Sequence, residues 1–187
     1  MSKRVARALL CAAIALAAPA LWATTVLKQT DSDMIRKSGI ILTGHCTNLE
    51  PTWVGRTLVT KATIAVDEVL QGSAVREVTV VLPGGVDVHR RIPVAVTYPG
   101  APEILVREQV LLFLTPDNMV RDGFSIVGYS QGKFTLVKTT ESGLVGTRNL
   151  SDLRLQNGST VVRGGATSIS LEQLRARIRD LEAGKLQ

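Results

Sequence analysis

Residues 56–82 constrain the fold more than any other stretch, because apolar side chains recur at every second position over two consecutive segments. In the first segment Leu58, Ala62, Ile64, Val66 and Leu70 take even positions, and Lys61, Thr63 and Asp67 take odd ones. A period of two marks a strand that buries one face. Gln71-Gly72-Ser73 supplies a turn, after which Val78, Val80 and Leu82 alternate with Glu77 and Thr79. Both strands can therefore cover one core. The first, at about fourteen residues, is far longer than the common strand, and strands of that length bend to serve two sides of a small barrel.

The remaining chain is read around this hairpin. Thr30-Asp31-Ser32-Asp33 offers N-cap oxygens ahead of Met34 to Lys37, which predicts one or two helical turns closing one barrel end. Ile40 to Cys46 alternates as a strand, with Gly44 marking a bulge or a close backbone approach, and residues 48–55 read as a loop. Pro83-Gly84-Gly85 opens an irregular stretch to Glu103 that includes a short strand over Ile92 to Thr97. Gln109 to Leu114 is apolar on both faces, as in a central strand covered on both sides. Phe124 to Tyr129 and Phe134 to Val137 read as a closing hairpin through Gln131-Gly132-Lys133, with Gly132 at positive φ.

Beyond Lys138 the residues become small and polar. Asn157-Gly158 predicts a type I′ hairpin between Leu153–Leu155 and Val161–Val162, marginal unless it packs on something. Ser170 and Gln173 form a capping box for a final helix, and Gly184 stops it. The expected fold is mainly β: a small, partly open Greek-key barrel of the OB type with a short N-terminal helix and a C-terminal helix, the alternative being a β-sandwich. Its divisions are a signal peptide (1–23), the barrel (24–138), and a polar linker with a small hairpin and an amphipathic helix (139–187).

The signal-peptide reading rests on Lys3, Arg4 and Arg7, the apolar run Ala8 to Ala18, and small residues up to Ala23. The run is too short and alanine-rich for a membrane span, so a secreted or periplasmic location is expected, with no stable membrane anchor after cleavage. Removing the three basic residues lowers the formal net charge from +6 to +3. Only local clusters could then attract anionic partners. Cys11 leaves with the signal, so the mature chain keeps Cys46 alone and forms no internal disulfide.

Six motifs together resemble small secreted bacterial proteins of unknown function with an OB-like barrel related to netrin and tissue-inhibitor-of-metalloproteinases modules. They are Ala23-Thr24-Thr25-Val26, Ser38-Gly39-Ile40-Ile41-Leu42-Thr43-Gly44, Val66-Asp67-Glu68-Val69-Leu70-Gln71-Gly72, Leu82-Pro83-Gly84-Gly85, Val110-Leu111-Leu112-Phe113-Leu114 and Gln131-Gly132-Lys133-Phe134. The resemblance covers Ala23 to Val137 and implies the barrel. It does not bring the inhibitors' zinc chelation, which needs a mature N-terminal cysteine where this chain has Thr24.

Candidate chemistry is sparse. His45 and Cys46 are adjacent, but neighbours on a strand point to opposite faces, which leaves Cys46 a small buried hydrophobe and predicts no metal site. Gly84-Gly85 lacks the rest of a phosphate-binding loop and reads as a turn. Asp67 and Glu68 diverge, and Glu103 and Glu108 have no identifiable partner. Phe113, Phe124 and Phe134 read as core, which leaves too few aromatics for a stacking surface, so no nucleic acid is expected. Two features remain. His89, Arg90 and Arg91 form a basic group that could face an anionic glycan, a lipid headgroup or an acidic partner. Leu171, Leu174, Ile178 and Leu181 form a helical stripe that could dock on the barrel, the preferred reading, or in a partner groove. The expectation is an exported, non-enzymatic module that binds a protein or an envelope polymer and needs no cofactor. The alternatives are an extracytoplasmic hydrolase without a recognisable motif, or a structural envelope component.

Overall fold

The computed structural model describes residues 24–139 and 143–184, so the signal-peptide expectation lies outside the described residues. In chain order the elements are β1 (Thr24–Leu27), α1 (Asp31–Lys37), β2 (Ile40–Val54), β3 (Thr57–Gln71), β4 (Glu77–Pro83), β5 (Gly85–Asp87) and β6 (Val94–Val96). There follow β7 (Gln109–Pro116), β8 (Gly123–Ile126), β9 (Lys133–Thr139), β10 (Gly143–Asn149), β11 (Leu153–Asn157), β12 (Thr160–Arg163), β13 (Ala166–Ser170) and α2 (Leu171–Glu182).

Five strands close into a ring. β2 pairs β3 and β3 pairs β4, both antiparallel; β4 pairs β8 in parallel; β8 pairs β7 and β7 returns to β2, both antiparallel. This is the OB-type Greek key, in which the fourth ring strand comes back beside the first. Its interior holds Leu42, Cys46, Ala62, Ile64, Val80, Leu112 and Leu114, all fully buried. The even positions Ala62, Ile64, Val66, Val78, Val80 and Leu82 face this interior, but the register shifts beyond Val66 invert the alternation, so that Val69 packs on the barrel core and Leu70, expected beside the others, packs on the outer one. The β2–β3 pairing shifts register at three places, with Leu70 and Asp67 the extra residues on β3 and Thr47 the extra residue on β2; Gly44 lies opposite the Asp67 bulge. A β-carbon on Gly44 would lie 2.3 Å from the Ala65 carbonyl oxygen, so the close approach expected there excludes any side chain.

Along its far edge β7 forks: Val110 to Leu112 pair with β9, whereas Leu114 to Pro116 pair with β8. β8 pairs with β4 and closes the ring, and β9, β10 and β13 continue the sheet beyond it. The outer face at the fork carries a second core of Ile41, Leu111, Phe113, Phe134 and Leu136. Met34 and Ile35 of α1 and Leu171, Leu174 and Ile178 of α2 cover it. That explains why every position from Val110 to Leu114 is apolar, since β7 has a core on each side.

Several expectations are corrected. Residues 48–54 are strand, the second half of β2. β7 stops pairing at His45, so beyond it β3 is the strand paired with β2, whose other edge tolerates Pro51. β8 and β9 do not pair with each other, because β7 separates their roles. The positive-φ residues there are Gly128 and Tyr129; Gly132 is small because a β-carbon would lie 2.6 Å from the Val127 carbonyl oxygen. α1 lies on the outer face, not in a barrel end, and is closed by a Thr30–Asp33 capping box. At α2, Ser170 is the N-cap residue but makes no side-chain capping bond.

Residues 143–170, expected as linker with a hairpin, carry four strands. β10 and β13 extend the barrel sheet, and β11 lies between β1 and β12 in a second sheet. The β11–β12 turn is Gly158-Ser159, one residue later than predicted, with Gly158 at φ 58°. Leu153 and Leu155 supply the packing this hairpin needed, against Leu150, Val26 and Tyr129. No helix among the described residues is long and apolar enough to cross a membrane.

Candidate functional site

The basic group lies in the loop between β5 and β6, where residues 88–93 are all exposed. Its members have different roles. Asp87 accepts hydrogen bonds from the Trp53 indole N–H at 2.7 Å and from the His89 backbone N–H at 3.0 Å. These hydrogen bonds, the indole's foremost, hold its carboxyl below the usual aspartate range. Arg90 lies 3.3 Å from the same carboxylate with its guanidinium 4.2 Å above the Trp53 ring, so its charge is already matched. His89 and Arg91 face solvent.

The stripe Leu171, Leu174 and Ile178 is buried in the outer core, with Leu181 at its margin. Two arginines on the polar side of α2 fasten it further: Arg175 donates to Glu68 at 2.5 and 3.2 Å, and Arg177 donates to Asp31 at 2.7 Å. His45 and Cys46 diverge. His45 Nδ1 is 3.3 Å from Asp67, while the Cys46 thiol is buried in the barrel and burial pushes its pKa up.

A feature missed in the sequence is a cleft of about 1300 Å³ between residues 97–103 and the β9–β12 region. One wall, the turn-rich segment Thr97 to Glu103, is tied down by Thr24 Oγ1 donating to the Pro99 carbonyl at 2.7 Å and Ser130 Oγ donating to the Gly100 carbonyl at 2.9 Å. The floor carries Lys133, Thr135, Thr147 and Arg148. Arg148 stacks 4.4 Å from the Phe134 ring and donates to Thr167 Oγ1 at 2.9 Å and to the Gln131 carbonyl, so it is held by the fold itself.

The opposite wall carries Arg154 on β11 and Arg163 on β12, which are direct cross-strand partners. Like charges placed opposite one another destabilise a sheet. Both residues are exposed, and neither is paired with a carboxylate among the described residues. Arg163 donates its Nε–H to the Ser151 carbonyl at 3.1 Å, which fixes the side chain without neutralising it.

Two of the floor residues are held by Glu108, for which the sequence identifies no partner: its carboxylate accepts from Lys133 Nζ at 2.5 Å, from Thr135 Oγ1 at 2.6 Å and from the Leu105 N–H at 2.8 Å. Burial alone would raise its pKa, but these hydrogen bonds and the Lys133 charge outweigh it, and the net shift is downward. A general acid for neutral pH needs the opposite shift, so this carboxylate acts as a brace.

No protein-family model, curated protein or solved structure matches this chain. The site is therefore read from its own geometry. Because the folded pKa of Glu108 lies below its ordinary value of 4.5, its stabilising contribution is complete above that value and fades as the pH falls through the folded value. In thermal melts from pH 7 to pH 3, Glu108→Gln should start below the parent and lose less stability on acidification. Parallel curves would contradict the brace.

Proposed function

We propose that the protein is an exported, non-enzymatic binding module that holds a segment of another protein or of an envelope polymer in this cleft. Export rests on the basic, apolar and small-residue order of residues 1–23. The proposal includes kinship with OB-like barrels of the netrin and metalloproteinase-inhibitor type, a reading supported by the circular order of the five ring strands. The observation that carries the binding function is the Arg154–Arg163 pair. Two guanidiniums with no ion pair among the described residues face one another across a strand pair, in the wall of a cleft that also holds the Glu103 and Asp152 carboxylates and whose other wall is already fastened. An acidic group seated between them would relieve their repulsion and form charge-assisted hydrogen bonds. A fastened wall loses little conformational entropy when a partner arrives.

Charge reversal tests this. Arg154→Glu/Arg163→Glu should melt within a few degrees of the parent, since both side chains are exposed, yet fail to capture the component that the parent retains from an extract of its own envelope. Equal capture by both proteins would refute the cleft as the binding site.

A further inference from the structure

The β5–β6 loop has an unusual combination of stiffness and apolar exposure. Val88 and Ile92 are 62% and 75% exposed, although aliphatic side chains at a loop tip gain nothing from water. Between them stand His89, Arg90 and Arg91. The Trp53–Asp87–Arg90 contacts brace the base of the loop, so its side chains are presented on a firm support.

The tip also has a basic neighbour. Thr60 and Pro51 flank Gly85, and Trp53 binds Asp87, so β5 runs alongside β2 in the same direction. Continued past Trp53 and Asp87, the two strands lead to the Gly55-Arg56 turn and to the 88–93 loop, and Arg56 is exposed. Asp87 is the sole carboxylate between residues 84 and 98, and Arg90 and Trp53 already engage it. The unpaired charges of the loop and of the Gly55-Arg56 turn are thus positive, Arg91 and Arg56, and Arg91 stands next to the exposed Ile92.

We propose that the 88–93 loop, together with Arg56, is a contact site for an anionic lipid bilayer surface. Val88 and Ile92 enter the headgroup layer, and Arg91 and Arg56 face lipid phosphates. A bilayer suits this surface because the apolar groups are exposed on a loop, and an interface of lipids can deform around them. Cations beside the inserted groups add attraction that salt screens. The contact is reversible, with two side chains inserted and no span, and it lies apart from the cleft.

Sedimentation with vesicles tests the proposal. The full chain is mixed at low ionic strength with vesicles of phosphatidylglycerol and phosphatidylcholine, and separately with pure phosphatidylcholine, so that the apolar N-terminal run contributes equally to every variant. The parent should partition roughly tenfold or more in favour of the anionic vesicles. Val88→Ser/Ile92→Ser and Arg56→Gln/Arg91→Gln should each reduce the anionic-vesicle binding severalfold with unchanged melting, and Arg179→Gln, at an exposed arginine of α2, should leave it in place. A parent ratio near one, or binding that either tip variant leaves unchanged, would overturn the proposal. So would an equal loss in Arg179→Gln and Arg56→Gln/Arg91→Gln. Binding of the tip to a soluble acidic protein without any preference for anionic vesicles would assign it to a protein and overturn the lipid reading as well.

Discussion

Ending the chain after Ser170 should abolish the cooperative melt at ordinary temperature or lower it severely, and should let an apolar reporter dye bind. The deletion removes Leu171, Leu174 and Ile178 from the core they share with Met34, Ile35, Leu111 and Phe113. Each fully buried side chain of this size contributes about 1.5–3 kcal/mol of transfer free energy, against a total stability of about 5–15 kcal/mol for a domain. The two ion pairs of α2 are half-exposed, and such pairs add at most about 1 kcal/mol each. The apolar stripe therefore decides the docking. Within the intact chain Leu174→Ala should cost about 2–5 kcal/mol, and exposed Arg179→Ala should stay within about 0.5 kcal/mol. If Leu174→Ala melted like the parent while capture of an envelope component disappeared, α2 would be a partner element and not part of the fold.

Phe113→Ala should be the most damaging single truncation, at about 3–5 kcal/mol. The ring is fully buried in the outer core, 6.0 Å from the Phe134 ring, on the strand where the sheet forks. Its backbone N–H donates to the Gly132 carbonyl and its carbonyl accepts from the Val127 N–H, so the residue joins both branches. Ile64→Ala, on the barrel side, should cost about 2–5 kcal/mol, and Thr63→Ala, on the outer face, much less. Chemical denaturation gives the ranking. A small loss for Phe113→Ala beside a large one for Ile64→Ala would mean that only the barrel interior is a core.

Both cores are visible in the sequence at Val110 to Leu114, where five apolar residues in a row require cover on two sides. The ring's long hairpin is legible over residues 62–66 and 78–82, where alternation states which face is buried; the bulges on β3 that put Leu70 on the outer core leave no mark in the pattern. Alternation does not state which strand lies beside which, and so it suggests a β8–β9 hairpin where β7 pairs with both. Pro51 hid the second half of β2, since its lack of an N–H matters only where a second neighbour is present. The cleft was hidden by a single residue. With Asn157-Gly158 as the turn centre, Arg154 would face Val161; with Gly158-Ser159, it faces Arg163. His89, Arg90 and Arg91 stood out by composition, but the clamp that separates Arg90 from the other two needs Trp53, which is distant in the chain.

The cleft is the part of the molecule to which function is assigned, and binding there can be measured directly. The component captured from the envelope would be purified and titrated against the parent and against Arg154→Glu/Arg163→Glu in the same buffer. Placing two carboxylates where two guanidiniums stood should weaken the complex by roughly tenfold or more, with the loss shrinking as salt is added. Equal dissociation constants for the two proteins, at matched melting temperatures, would contradict a binding site in the cleft.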